Sequence, residues 1–268
     1  MRSRAATGLA LGARVSGVAP HRCYAPDART GLVELGADEA HHLTRVLRAT
    51  VGTAVTVFDG RGHEWSGRVA SVGHRRVSIE LHERVVPVTE PPVAVTMAVG
   101  LLKGDQMNTV VRDATALGAA AIQPFVSAHV AVPERAWRDR SVERWQRIAI
   151  SSAKQCGRAV LPAIGDIVRL PEMLSARATS MWVVCVEPSR LGASPDVPRP
   201  GLDQSGVVLC VGPEGGWAPD EVAAARERGA HLLSLGPRVL RAEIAPAIAL
   251  TALWTQWGWE GKKLEVRS

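Results

Sequence analysis

Between Gly31 and His82, apolar and polar residues alternate in short runs broken by turn-forming residues. Thr53–Phe58 alternates, Asp59-Gly60 supplies a hairpin turn, His63–Val72 alternates again, and Arg75–His82 follows a Gly73-His74 turn. One helix is predicted in this region, Asp38–Leu47, with acidic residues at its start. Short strands plus one helix predict a small β-barrel over residues 21–85. The Pro-rich stretch Glu83–Pro92 reads as a linker.

Beyond Pro92 the alternation gives way to continuous apolar runs at Val93–Val99, Ala120–Val126, Met181–Val186, Val207–Val211 and Leu232–Leu235. Runs of that kind suit parallel strands covered on both faces. Helices are predicted between them at Asp105–Leu117, Arg138–Gln155 and Asp220–Arg228, and a last one over Pro246–Trp257. The third has Pro219 in its first turn, Asp220 and Glu221 at its positive end and Gly229 just past its close. Strand–helix alternation predicts an α/β domain with a mostly parallel sheet over residues 93–262.

The helix at 138–155 has two faces. Val142, Trp145, Ala149, Ser152 and Cys156 form an inward stripe at helical spacing. Arg140, Arg144, Arg147, Lys154 and Arg158 line the other side, diluted by Asp139 and Glu143. A solvated face and a phosphate-contacting ridge are equally good readings of it. The net charge of +6 adds weight to a polyanionic partner.

Composition removes several alternatives. The four cysteines, Cys23, Cys156, Cys185 and Cys210, are scattered without CxxC spacing, and the eight histidines form no HExxH. A disulfide framework and a metal site are not expected, and a reducing cytoplasm is. No apolar run approaches the roughly 18 residues that span a membrane. Residues 1–20 carry three arginines and no acid, and are expected to form a disordered extension, although a transit peptide has the same composition.

Two glycine-bearing segments carry the strongest functional signal. Gly212-Pro213-Glu214-Gly215-Gly216 follows the run ending at Val211, and Gly236 opens a turn after Leu235 that continues through Glu243. Placed side by side at the ends of neighbouring strands, they would offer bare main chain to a flat polar ligand. Val211, Leu235, Val239 and Leu240 supply apolar walls. GxGxxG and GxxxxGKS/T are both missing, so an adenine-containing ligand of low anionic charge is expected rather than a dinucleotide or a triphosphate.

These motifs resemble the family of ribosomal RNA small subunit methyltransferase E. The resemblance is carried by HHLTRVLR (His41–Arg48), FDG (Phe58–Gly60), LLKGDQM (Leu101–Met107), KQCGR (Lys154–Arg158), GPEGG and LGPRVLRAE, in that order, over nearly all of the chain after Pro20. It implies a PUA-like β-barrel that helps dock RNA, followed by a SPOUT-type α/β domain whose C-terminal part threads a trefoil knot. It also implies a homodimer acting on 16S ribosomal RNA of the small ribosomal subunit, with S-adenosylmethionine as cofactor, no metal, and methylation of uridine N3.

On that basis Glu187, Val211, Gly212, Pro213, Glu214, Gly215, Gly216, Leu235, Gly236, Val239, Leu240 and Arg241 are expected to hold the cofactor. Arg158 would stabilise a uracil imide anion, with Glu243 removing the imide proton. Arg45, Arg48, Lys103, Arg140, Arg144, Arg147 and Lys154 are expected on RNA. Ala242 and Ile244 replace two threonines of the family pattern, with Pro246 suiting the first turn of an altered cap, and Ala116 and Lys154 stand where glutamates are usual. Two other readings stay open: a related knotted methyltransferase with another RNA target, and a non-catalytic RNA-binding assembly factor.

Overall fold

In a computed structural model, the structure describes residues 21–73, 76–132, 141–175, 180–188, 192–201 and 204–259. The extension at 1–20 and Arg140 lie outside the described residues.

The N-terminal part is a five-stranded sheet made of β1 (His21–Tyr24), β2 (Gly31–Glu34), β3 (Ala54–Phe58), β4 (Glu64–Val72) and β5 (Val77–Val85). Its order is β1-β3-β4-β5-β2, with β1 parallel to β3 and the other pairs antiparallel. Register shifts between Trp65 and Gly67 and between Val69 and Ser71 bend β4 against β5, as barrel sheets require. Alternate residues, among them Val55, Val57, Val69, Ile79 and Leu81, point into one apolar core closed by Leu43. The predicted helix is present as α1 (Ala37–His41), which widens into a π-helical turn over His42–Val46. Its N-cap is Gly36, and Asp38 and Glu39 occupy the first turn. The edge strands β1 and β2 are too short to show a period in the sequence.

After the linker, β6 (Val95–Gly100), α2 (Gln106–Ala116), β7 (Ala121–Val126) and α3 (Ser141–Cys156) follow in turn. They are succeeded by β8 (Ala163–Ile164), β9 (Val168–Arg169), α4 (Leu170–Ser175), β10 (Met181–Val186) and β11 (Val207–Val211). The chain then runs through α5 (Pro219–Glu227), β12 (His231–Ser234) and α6 (Ala245–Trp257). The sheet is parallel throughout, in the order β12-β10-β11-β6-β7-β8, with β9 also paired to β7.

Both faces are covered, which is why these strands read as unbroken apolar runs. Met97, Val183 and Leu209 pack under α2, α3 and α6. Ala98, Trp182, Val184 and Cys210 pack on the opposite side with Leu170 of α4 and Val222 and Ala225 of α5. Two buried indoles of α6 are tied down at their polar end: Trp254 donates to the Leu117 carbonyl at 2.8 Å and Trp257 to that of Val197 at 3.0 Å. The inward stripe of α3 is seated as its spacing predicts, with Trp145, Ala149 and Ser152 buried.

The two parts meet at a joint built from the FDG and KQCGR segments. Leu161 N–H donates to the Gly60 carbonyl at 2.9 Å and Gly62 N–H to that of Ala159 at 3.2 Å. Phe58, Ala153 and Ala159 are buried together, with Tyr24 and Leu161 packed against them. Gly60 sits at φ +78°, and a Cβ there would come within 3.0 Å of Leu161 and 3.1 Å of Tyr24. Only glycine meets both demands without strain.

Candidate functional site

The carboxyl ends of three strands converge on a cavity of about 510 Å³. The GPEGG turn leaves β11, the Leu235–Arg241 turn leaves β12, and Glu187-Pro188 leaves β10. The two glycine segments are not on neighbouring strands, as the sequence suggested, because β10 lies between β11 and β12. Glu187 therefore forms the middle wall. All twelve residues expected to hold a ligand line this one cavity, and Glu243 lines it with them.

The turns are held open by close packing behind them. A Cβ on Gly100 would sit 2.6 Å from the Pro213 nitrogen, so β6 and the GPEGG turn touch main chain to main chain. His129 Nδ1 lies 3.1 Å from the Gly215 carbonyl. Glu221, at the third position of α5, reaches back to Ala218 N–H at 2.9 Å and across to Ala128 N–H at 2.8 Å. That carboxylate thus occupies the N-terminal end of α5, which would otherwise attract an anionic ligand.

Three carboxylates surround the cavity. Glu214 accepts from Lys103 N–H at 3.0 Å. The carboxamide of Gln106 lies between Glu214 and Glu243; turned to donate, its nitrogen is 2.6 Å from Glu214 Oε1 and 3.3 Å from the Lys103 carbonyl. Its other side lies 3.5 Å from Glu243 Oε2. Arg241 Nη1 is 3.4 Å from Glu243 Oε1, and the Glu243 side chain is 16% exposed. Arg238 adds a second cation to the rim. Cys185 also lines the cavity, but burial pushes its thiol up to about 12, so it stays protonated and is no nucleophile at neutral pH.

Sequence reasoning missed Gln106, Trp217 and Arg238. Trp217 follows the glycine turn and donates to the Cys185 carbonyl at 2.7 Å, stacked on Phe125 at 5.8 Å. Its place directly after GPEGG was the available signal. For Gln106 the signal was its place inside LLKGDQM, far along the chain from the glycine segments.

The turn entering α6 replaces side-chain capping with main chain. Ile244 is the N-cap and makes no side-chain capping bond, while the Arg241 carbonyl accepts the N–H groups of Ile244 and Ala245 at 3.0 Å each. Pro246 occupies the first turn, where a missing N–H costs nothing.

Two of the expected residues lie apart from the cavity. Arg158 is buried away from the cavity, with Nε and Nη2 on the Glu90 carboxylate at 2.6–2.9 Å and Nη1 on the Thr115 carbonyl at 3.1 Å. These bonds tie it to the linker and α2 and not to the cavity. Lys154 pairs with Glu39 of α1 at 2.7 Å instead of facing outward. The basic face of α3 thus has two halves: Arg144 and Arg147 are exposed, Arg144 pairing with Asp105 at 2.7 Å, whereas Lys154 and Arg158 turn into the joint. Arg45, Arg48 and Lys103 are exposed.

Among the described residues no group of three or more His, Cys, Asp and Glu could hold a metal, and no helix is long and apolar enough to cross a membrane.

Comparison with known proteins agrees with this architecture. Residues 89–254 match the family described as RNA methyltransferase domain, and residues 35–81 the RNA methyltransferase PUA domain. A ribosomal RNA small subunit methyltransferase E from Synechocystis is 34% identical over 82% of this chain and 72% of its own. That from Bacillus subtilis is 31% identical over 81% and 87%. The crystal structure of a Neisseria gonorrhoeae ribosomal RNA small subunit methyltransferase E bound to S-adenosyl methionine superposes with a TM-score of 0.80. It is 30% identical and the match covers 89% of this chain and 98% of that one.

Proposed function

Because the chain belongs to the family of ribosomal RNA small subunit methyltransferase E, we propose that it methylates N3 of one uridine in 16S ribosomal RNA, using S-adenosylmethionine. The observation that carries this reading is the convergence of bare main chain and three carboxylates in one cavity. About 510 Å³ lies within the range of small-molecule sites. A Cβ on Gly216 would lie 2.6 Å from Glu187 Oε1, so the glycine leaves room that any other residue would fill. Glu187, Glu214 and Glu243 suit a ligand carrying sulfonium and ammonium charges. They disfavour a phosphate-bearing one.

The main chain of the GPEGG and Leu235–Leu240 turns would hold adenine and ribose. When bound, the cofactor supplies an electrophilic methyl group. The chain's own residues would align the uracil, exclude water and remove the imide proton. Glu243 would take that proton, its Oε1 lying 3.4 Å from Arg241 Nη1. Arg238 and Arg241, rather than Arg158, would meet the negative charge left on the uracil. Arg45, Arg48, Lys103, Arg144 and Arg147 remain exposed for RNA phosphates.

A homodimer is part of the proposal, supported by the uncovered apolar residues Ile244 and Ile248 beside Ala252 on α6. A ribosomal substrate assigns the reaction to the cytoplasm. Nucleoside mass spectrometry of 16S RNA from a strain lacking the gene tests the reading. The 3-methyluridine should vanish and return with the gene; its persistence would overturn the assignment.

A further inference from the structure

Lys154 occupies a position unlike that of the other cations of α3. Its Nζ is 2.7 Å from Glu39 Oε1, and both side chains are only 15% exposed. The second oxygen of Glu39 accepts Tyr24 N–H at 3.1 Å, so the carboxylate is gripped from β1 and from α3 together. Glu39 lies in α1, and the turn that continues from α1 carries the exposed Arg45 and Arg48. On its other flank α3 packs along α2, with Ser152 Oγ donating to the Arg112 carbonyl at 2.6 Å and Arg144 bound to Asp105. Gln106, the first residue of α2, lines the cavity. A continuous packed path therefore runs from the cavity through α2 and α3 to the segment bearing Arg45 and Arg48.

We infer that Lys154 and Glu39 are positioning residues that set the barrel's RNA contacts in register with the methyl-transfer cavity. The inference rests on the reading above that RNA is the substrate. Neither residue touches RNA or cofactor; Lys154 acts through Glu39 on α1. Main-chain bonds at Gly60 and Ala159 and the bond from Arg22 to the Arg158 carbonyl hold the domains together without the Lys154–Glu39 pair. Breaking that pair should thus mis-set the angle between the domains, not unfold the protein.

Charge reversal in the full chain tests this. Lys154→Glu and Glu39→Lys should each raise KM for 16S RNA about tenfold, with kcat at saturating RNA within about twofold and cofactor affinity unchanged, since a like-charge pair replaces an attraction of order 1 kcal/mol. The double reversal should return KM to within about threefold of the starting protein. A phosphate contact by Lys154 predicts the opposite pattern. Glu39→Lys would then leave KM unchanged or lower it, and the double variant would be as weak as Lys154→Glu; either result overturns the inference. Should a reversed variant fail to fold, the neutral pair Lys154→Met with Glu39→Gln decides, by a KM raised about threefold or one that matches the starting protein. RNA affinity measured by fluorescence anisotropy separates the two levels. Loss of methylation in the unaltered protein would sink the functional reading, while the affinities would still report on the joint.

Discussion

The cavity and the joint are built from opposite materials. At the cavity, glycine turns expose main chain at the ends of three parallel strands, and side chains mostly stay back. At the joint, charged side chains reinforce the main-chain bonds: Lys154 reaches Glu39 and Arg22 reaches the Arg158 carbonyl across the two parts, with Glu64 behind Arg22 and Glu90 of the linker behind Arg158. Recognition of a small ligand by main chain needs few residue types, closely spaced in sequence. Fixing the angle between two domains needs partners that meet only after folding, here 115 and 136 residues apart. The difference explains why one cationic helix face serves two purposes, outward at Arg144 and Arg147 and inward at Lys154 and Arg158.

Gly215→Val strikes the main-chain wall of the cavity directly. A Cβ there would lie 2.7 Å from the Cβ of His129 and 2.8 Å from its carbonyl oxygen, so the turn must move. Cofactor affinity, read by isothermal titration, should fall at least about 100-fold, roughly 2.7 kcal/mol. Normal binding would place the ligand elsewhere.

Next in size is Arg158→Met, which leaves the Glu90 carboxylate without its partner. Stability should drop by about 3 kcal/mol in denaturant titration, with cofactor affinity of the folded protein unchanged. If turnover instead collapsed while stability held, the catalytic role suggested by the sequence would be restored to Arg158.

The smallest effect concerns Asp59 in the FDG turn. Burial raises its carboxyl pKa, but bonds from the His63 ring at 2.7 Å and from the Arg61 and His63 N–H groups outweigh it and hold it below the usual 3.8. A depressed folded value means its contribution is complete above about pH 5 and is lost as pH falls through 3.8 toward that lower value. Asp59→Asn should cost about 1 kcal/mol at neutral pH and nothing at acid pH, flattening the acid limb of the stability profile. An unchanged acid limb would show that the turn does not couple to folding.

Much of the fold was legible because its signals are local. The apolar runs at Val93–Val99 and Met181–Val186 and the punctuation around Pro219 and Gly229 report burial on both faces and helix ends directly. The two glycine segments that line the cavity were legible for the same reason. The order of the strands was not, and so β10 came between the glycine turns unannounced. Spacing on α3 gave the correct buried stripe at Trp145 and Ala149 but could not divide its cations. Whether Lys154 faces solvent or a carboxylate depends on Glu39, which is brought there by another domain. Gln106 shows the same limit: a helix start in sequence, a cavity wall in space.

The position of β10 between two later partners has a consequence in time. The barrel is complete once residue 85 has been made, whereas the cavity lacks a wall until the chain has passed Glu243. At the usual pace of synthesis, roughly 5–20 residues per second, on the order of ten seconds separate the two. A newborn chain thus owns its folded barrel well before it can hold a methyl donor.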